Sequence, residues 1–126
     1  MRMAKQMQYD SIGAVTINSG SNTTIVDVNI TVTAGASVLV MFNADMNAEG
    51  GDAWQWLQLF RGSTAIGTST ISVMRQGWNE HFSLQYWDHN LSAGTYTYSA
   101  KARNGSNYGL WGEHSNPYIQ VIEFAK

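Results

Sequence analysis

Between Gly94 and Arg103 the chain alternates residue by residue. Tyr96, Tyr98, Ala100 and Ala102 fall on one side, and Thr95, Thr97, Ser99, Lys101 and Arg103 on the other. A period of two puts successive side chains on opposite faces of a pleated strand, and no helix sorts these residues into an apolar and a polar face. Leu91-Ser92-Ala93-Gly94 reads as the turn that starts this strand. A second apolar segment, Tyr118-Ile119-Gln120-Val121-Ile122-Glu123-Phe124, follows a glycine-rich stretch. Apolar residues on both of its sides predict that it is tucked into a sheet or an interface.

The rest of the chain reads the same way. Ile12–Ile17 is a short apolar segment that ends at the turn cluster Asn18-Ser19-Gly20-Ser21-Asn22. Val26, Val28, Ile30 and Val32 alternate with Asp27, Asn29, Thr31 and Thr33, which predicts a half-buried strand of β-branched residues. Over 37–47, Val38, Val40, Phe42, Ala44 and Met46 form one face, while Leu39 and Met41 make the other face apolar too. Residues 48–53 read as a glycine-containing loop. Over 54–60, Trp54, Trp56 and Phe60 oppose Leu57 and Leu59. Short strands are expected near 65–67 and 71–74, and a longer one over 80–88. About eight strands separated by regular turn signals, with no capped helical period, predict an all-β sandwich or jelly roll.

Composition narrows the function. Only 13% of residues are charged while 44% are hydrophobic, against a usual charged share of about 25%. Solubility then rests on small polar residues, which suits β-surfaces shared with neighbours. The net charge of −2 provides no field for nucleic acid or an acidic membrane. Without cysteine there are no disulfides and no thiolate metal sites. No apolar run approaches the roughly 18 residues of a membrane span. Arg2 and Lys5 precede no apolar stretch of signal-peptide length. At 126 residues one domain is expected, with residues 1–10 as a flexible N-terminal arm and 11–126 as the folded body.

Four segments together resemble the C1q/tumour-necrosis-factor-like jelly rolls, in particular short bacteriophage and bacterial versions. They are Thr33-Ala34-Gly35-Ala36-Ser37-Val38-Leu39-Val40, Leu57-Gln58-Leu59-Phe60-Arg61-Gly62-Ser63-Thr64-Ala65-Ile66-Gly67-Thr68, Ala93-Gly94-Thr95-Tyr96-Thr97-Tyr98 and Val121-Ile122-Glu123-Phe124. The resemblance covers residues 11–126. It implies a jelly-roll sandwich of eight to ten antiparallel strands that closes as a homotrimer with one sheet against its neighbours. It also implies a virion or extracellular-surface location, as a capsid decoration, head fibre or receptor-binding tail-fibre head. Capsid, fibre or cell-surface glycan partners follow from it. No collagen-like tract is present. Leu39, Met41, Leu57, Leu59, Tyr118, Ile122 and Phe124 are the expected trimer contacts, because they make otherwise inward-facing strands apolar on a second side.

Five Trp and six Tyr also fit an alternative, a carbohydrate-binding module. Aromatic faces stack on sugar C–H groups while neighbouring amides satisfy hydroxyls. Trp54, Trp78, Trp87, Asn107, Tyr108 and Trp111 are the candidates, with 104–112 as an adaptable binding loop. Asp45, Glu49 and Asp52 flank the 48–53 loop and could hold calcium, although not with EF-hand spacing. No other cofactor is suggested. His81, His89 and His114 show no zinc-ligand spacing. There is no nucleophile elbow, and Glu80 and Asp88 lie too far apart along one strand for an acid pair. A non-enzymatic protein is therefore expected.

Overall fold

A computed structural model describes residues 4–125, with side chains at all of these except positions 49, 50, 72 and 106. It contains β1 (Ala4–Ser11), β2 (Val15–Ile17), β3 (Thr23–Val32), β4 (Ala36–Arg61), β5 (Thr64–Met74), β6 (Asn79–Leu91), β7 (Gly94–Trp111) and β8 (Tyr118–Phe124). Among the described residues there is no helix, and so none long and apolar enough to cross a membrane.

All pairings are antiparallel, and four of them are nested. β1 pairs with β8, β3 with β7, the first half of β4 with β6, and its second half with β5. Pairing that proceeds inward from both ends is a long hairpin rolled on itself, the topology of a jelly roll. One layer runs β1-β8-β4-β6 through residues 36–47 of β4. The other runs β3-β7-β4-β5 through residues 54–61 of β4. The short β2 extends the first layer: it pairs with residues 109–111 of β7, which pair in turn with residues 46–48 of β4. The all-β jelly-roll sandwich expected from the sequence is the observed fold.

The core is where the two inner faces meet. Val38, Val40, Phe42, Ala44 and Met46 of β4 join Val26, Val28, Ile30 and Val32 of β3, Tyr98, Ala100 and Ala102 of β7, and Ile119 and Val121 of β8 in one buried cluster. Alternation makes this possible, since each strand contributes every second side chain. The register slips once in β3, between Thr24 and Val26, and there Ile25 and Val26 are both buried. An extra residue at a bulge turns two consecutive side chains to the same side.

Several expectations require correction. Residues 4–10, expected to be a loose arm, belong to β1 and pair with β8 from Ala4↔Phe124 to Ser11↔Tyr118; Met1, Arg2 and Met3 lie outside the described residues. The loop expected over 48–53 is part of β4, which runs through 26 residues and crosses from one layer to the other. The loop expected over 104–112 is largely the end of β7. The two short strands near 65–67 and 71–74 are one, β5. Leu57 and Leu59 are buried in the core of the single chain, so they are not available as trimer contacts. It is Trp54 and Trp56 that face outward on this stretch.

Candidate functional site

Each layer has an outer face, and the two faces differ in chemistry. On the β1-β8-β4-β6 layer the registers align three rows across the strands. These are Met7–Ile122–Leu39–Trp87, Tyr9–Gln120–Met41–Gln85 and Ser11–Tyr118–Asn43–Ser83. No Asp, Glu, Lys or Arg occurs in any row. Met7, Tyr9 and Trp87 are 48%, 61% and 43% exposed. Leu39, Met41, Tyr118, Ile122 and Phe124 are half-buried. Rings hold the band together: Tyr9 stacks on Tyr118 at 5.7 Å and Trp87 tilts against Phe124 at 5.1 Å between centroids. A shallow depression of about 280 Å³ lies beside Met41, Asn43, Ser83 and Gln85. Five expected trimer contacts, Leu39, Met41, Tyr118, Ile122 and Phe124, thus share one continuous surface. Met7, Tyr9 and Trp87 complete it and were not assigned to it from sequence. The alternation of Met7 and Tyr9 was the available signal.

On the β3-β7-β4-β5 layer the outer face is aromatic and cationic across β5, the second half of β4 and Lys101 and Arg103 of β7, and polar across β3, where Asp27, Asn29 and Thr31 point outward. Trp54 sits opposite Val73, and Trp56 opposite Ile71. Trp54, Ile71 and Val73 are 46%, 52% and 59% exposed. The Arg103 guanidinium lies 4.9 Å above the Trp56 ring and the Lys101 ammonium 4.7 Å above Phe60. Both are cation–π geometries.

The predicted ligand residues are not brought together. Trp54 and Trp87 lie on opposite layers. Trp78 is exposed beyond the turn after β5, with the Arg75 guanidinium 5.8 Å from its ring. Trp111 is fully buried against Phe42 and Phe82, and its indole N–H donates to Gln55 Oε1 at 3.4 Å. It is a core residue and cannot stack on a ligand. Asn107 adopts φ +49° and donates from Nδ2 to the Asp52 carbonyl at 2.7 Å, so its amide joins β7 to β4. Tyr108 is half-buried opposite Glu49 in the register.

The two described carboxylates of the calcium set hold loops instead. Buried Asp45 accepts from the amides of His114 and Ser115, and Asp52 accepts from the amide of Gln76 at 3.0 Å. The Glu49 side chain lies outside the described residues. Among the described residues, no three of His, Asp and Glu cluster where a cation could sit. His89 bonds Ser37 Oγ at 3.2 Å and stacks on Trp87, and His114 sits beside Glu113 at 3.6 Å.

Two buried carboxylates tie the layers together. Asp88 of β6 accepts two bonds from Arg61 Nη1, at 2.6 and 2.8 Å, and one from the Tyr98 hydroxyl at 2.7 Å. Burial, reinforced by the bond to Asp88, pushes the Tyr98 hydroxyl well above the usual phenol range, and the bond to Asp88 raises Arg61. Glu123 of β8 is fully buried. Burial alone would raise its pKa, but hydrogen bonds from Gln6, the Thr33 amide and the Thr33 hydroxyl outweigh it and hold the carboxyl below the usual range. These groups are saturated by their partners and serve the fold.

No protein-family model and no curated protein matches the sequence. The fold is similar to part of dimeric latent PorU from Porphyromonas gingivalis, at TM-score 0.50 and 9% identity over 94% of this chain and 13% of that one. A structure of infectious bursal disease virus, Gx strain, aligns at TM-score 0.49 and 8% identity over 95% of this chain and 38% of that one. The chain therefore spans well under half the length of these structures. At such identity the likeness is one of fold.

Proposed function

We propose that the chain is a non-enzymatic structural and binding module that works as a homotrimer, with the outer face of the β1-β8-β4-β6 layer buried between subunits. The observation that carries this reading is the charge-free apolar band. A lone sheet facing water ordinarily alternates apolar-in with polar-out. Here Met7, Ile122, Leu39 and Trp87 form an unbroken apolar row on the outside. Charge depletion and aromatic enrichment are what distinguish the centre of an interface from ordinary surface. Three-fold closure is the arrangement that the resemblance to C1q/tumour-necrosis-factor-like jelly rolls implies, and it supports a virion or surface component such as a decoration protein or fibre head. Loops and the second layer then remain free for a capsid, fibre or cell-surface glycan partner.

The test is mass in solution. Light scattering after size exclusion is expected to give three chains for the native sequence at micromolar concentration. Leu39→Lys and Ile122→Lys, which place an ammonium in the centre of the band, are expected to shift the mass toward one chain. A folded native species of one-chain mass at these concentrations overturns the reading, because an obligate apolar interface does not release folded monomers on mild dilution.

A further inference from the structure

We propose that the outer face of the β3-β7-β4-β5 layer is a binding site for a carboxylate-bearing saccharide, with Trp54 as stacking platform and Arg103, seated on the Trp56 ring, as carboxylate receptor. The site goes beyond the oligomeric reading, since it lies on the opposite layer and is complete within one chain.

The platform is built into the backbone. β7 slips register against β4 where Trp54 pairs with Ser106 and Gln55 with Asn104, which leaves Gly105 as the extra residue. A Cβ at Gly105 would come within 2.5 Å of Trp56 Cζ3 and 3.4 Å of Trp54 Cβ. Only a glycine bulge lets the Trp56 indole lie against the β7 backbone, and bulges commonly re-aim side chains beside functional sites. The two indoles stand 6.4 Å apart at 52°, an angled pair rather than a flat wall.

Charge selects the ligand. Among the described residues neither Arg103 nor Lys101 has a carboxylate within ion-pair distance. Each instead lies over the ring beneath it. A guanidinium stacked on indole keeps its N–H edge free, and that fork fits a carboxylate with two parallel bonds. Beside it lies a groove of about 150 Å³ lined by Asn22, Trp56, Gln58, Phe60, Ser69 and Arg103, among others. Gln58 commits its amide nitrogen to the carbonyls of Ile66 and Gly67, which leaves its oxygen as an acceptor for a hydroxyl. Asn22 and Ser69 add exposed polar groups. An apolar protein partner has no use for these groups. A sugar acid presents C–H groups to the negative face of an indole, hydroxyls to the amides and a carboxylate to the guanidinium.

The experiment titrates the full-length protein with oligogalacturonate, oligomannuronate and oligosialic acid, following tryptophan fluorescence and affinity electrophoresis. Neutral cello-oligosaccharides and an oligo-dT strand serve as comparison ligands. At least one acidic oligosaccharide is expected to bind more tightly than the neutral set, with affinity falling as salt rises. Arg103→Gln and Trp54→Ala are each expected to weaken it roughly tenfold or more, the scale of one charge-assisted hydrogen bond for the first and of one lost stacking face with its buried area for the second. Arg103→Lys should recover only part of the loss, and Trp78→Ala, outside the groove, should change nothing. The proposal is overturned if no acidic oligosaccharide binds at millimolar concentration, or if neutral sugars bind equally well. It is also overturned if oligo-dT binds more tightly, if both variants bind like the native chain, or if Trp54→Ala lowers the oligomer mass. Circular dichroism of each variant separates lost binding from lost fold. Saccharide binding by a one-chain species would sink the trimer and leave this site standing.

Discussion

Asp88 is the residue whose replacement tests most directly how the two layers are held together. It lies in β6 of one layer, while Arg61 and Tyr98 reach it from β4 and β7 of the other. Leucine at this position keeps the branched four-atom skeleton, with bulkier methyl ends, but removes every acceptor. The buried Tyr98 hydroxyl then loses its partner, and an unsatisfied buried polar group costs about 1–3 kcal/mol. Arg61 also loses its counter-ion, but its side chain is 31% exposed and water can take over part of that role, so about 1 kcal/mol is a suitable allowance after screening. The expected cost of Asp88→Leu is therefore about 2–4 kcal/mol. Tyr98→Phe removes the donor and leaves Asp88 paired to Arg61, so it should cost only about 1 kcal/mol.

Once Tyr98 is Phe, the hydroxyl can no longer be stranded, and the double variant should cost less than the sum of the singles by about 1–2 kcal/mol. Urea unfolding followed by tryptophan fluorescence reads these values, at one fixed protein concentration because the proposed association would contribute to stability. On heating, the Asp88→Leu deficit should lower Tm by roughly 6–15 °C for a chain of this size. Strict additivity of Asp88→Leu and Tyr98→Phe would refute the reasoning, since it would mean that the hydroxyl and the carboxylate do not depend on one another.

Other outcomes follow from the same packing. Glu123 has a depressed folded pKa, so its stabilising contribution is present above the normal Glu range and is lost as pH falls through the folded value; Glu123→Gln should flatten the acid limb of a stability–pH curve measured by urea titration. Tyr98 has a raised folded pKa, so its contribution is intact below about pH 10, the unfolded phenol value, and is lost at higher pH; Tyr98→Phe should make the protein less sensitive to alkali in the same assay. Gly105→Ala should cost about 1–3 kcal/mol, the range for overpacking, because its methyl would meet the Trp56 ring, and it should alter Trp56 emission. Trp111→Ala should cost about 3–5 kcal/mol as a buried aromatic deletion, whereas Trp78→Ala should change stability by less than about 0.5 kcal/mol.

The strands that were legible in the sequence are those with a regular alternation of more and less buried positions. β3, β7 over 94–103 and β8 could be read because their buried positions recur every second residue. β4 was legible as two strands and not as one, because Gly50-Gly51-Asp52 carries turn chemistry. The chain stays extended there because it pairs with β7 across the irregularity, with the Asn107 amide bonded to the Asp52 carbonyl. Direction failed where both faces are apolar. Over 54–60 the pattern offered Trp54, Trp56 and Phe60 against Leu57 and Leu59, and periodicity cannot choose between two apolar sides. The leucines took the interior, while Arg103 and Lys101 cover the Trp56 and Phe60 rings on the outside. Trp111 was misplaced for a related reason. Gly105, Gly109 and Gly112 suggested a loop, yet Gly109 is a close approach inside a strand, where a Cβ would stand 3.0–3.1 Å from Met46 and Gln55.

The single strand β4 accounts for how one small domain carries two unlike surfaces. Its first half lies in one layer and gives Leu39 and Met41 to the charge-free band. Its second half lies in the other and gives Trp54 and Trp56 to the cation-covered face. Alternation fixes which side chains look outward in each half, while the shared inner side stays uniformly apolar through Val38, Val40, Phe42, Leu57 and Leu59. The two outer faces can therefore differ without disturbing the core that joins them. A band with a wholly apolar row and no charge avoids the large cost of burying ions, and its amides and hydroxyls can pair across a contact, which suits permanent burial between subunits. A face whose cations stay hydrated over aromatic rings suits reversible contact with an anion. On the two readings proposed above, the same strand serves assembly at one end and recognition at the other, and because opposite layers bear the two faces, a substitution that abolishes one surface is expected to leave the other intact.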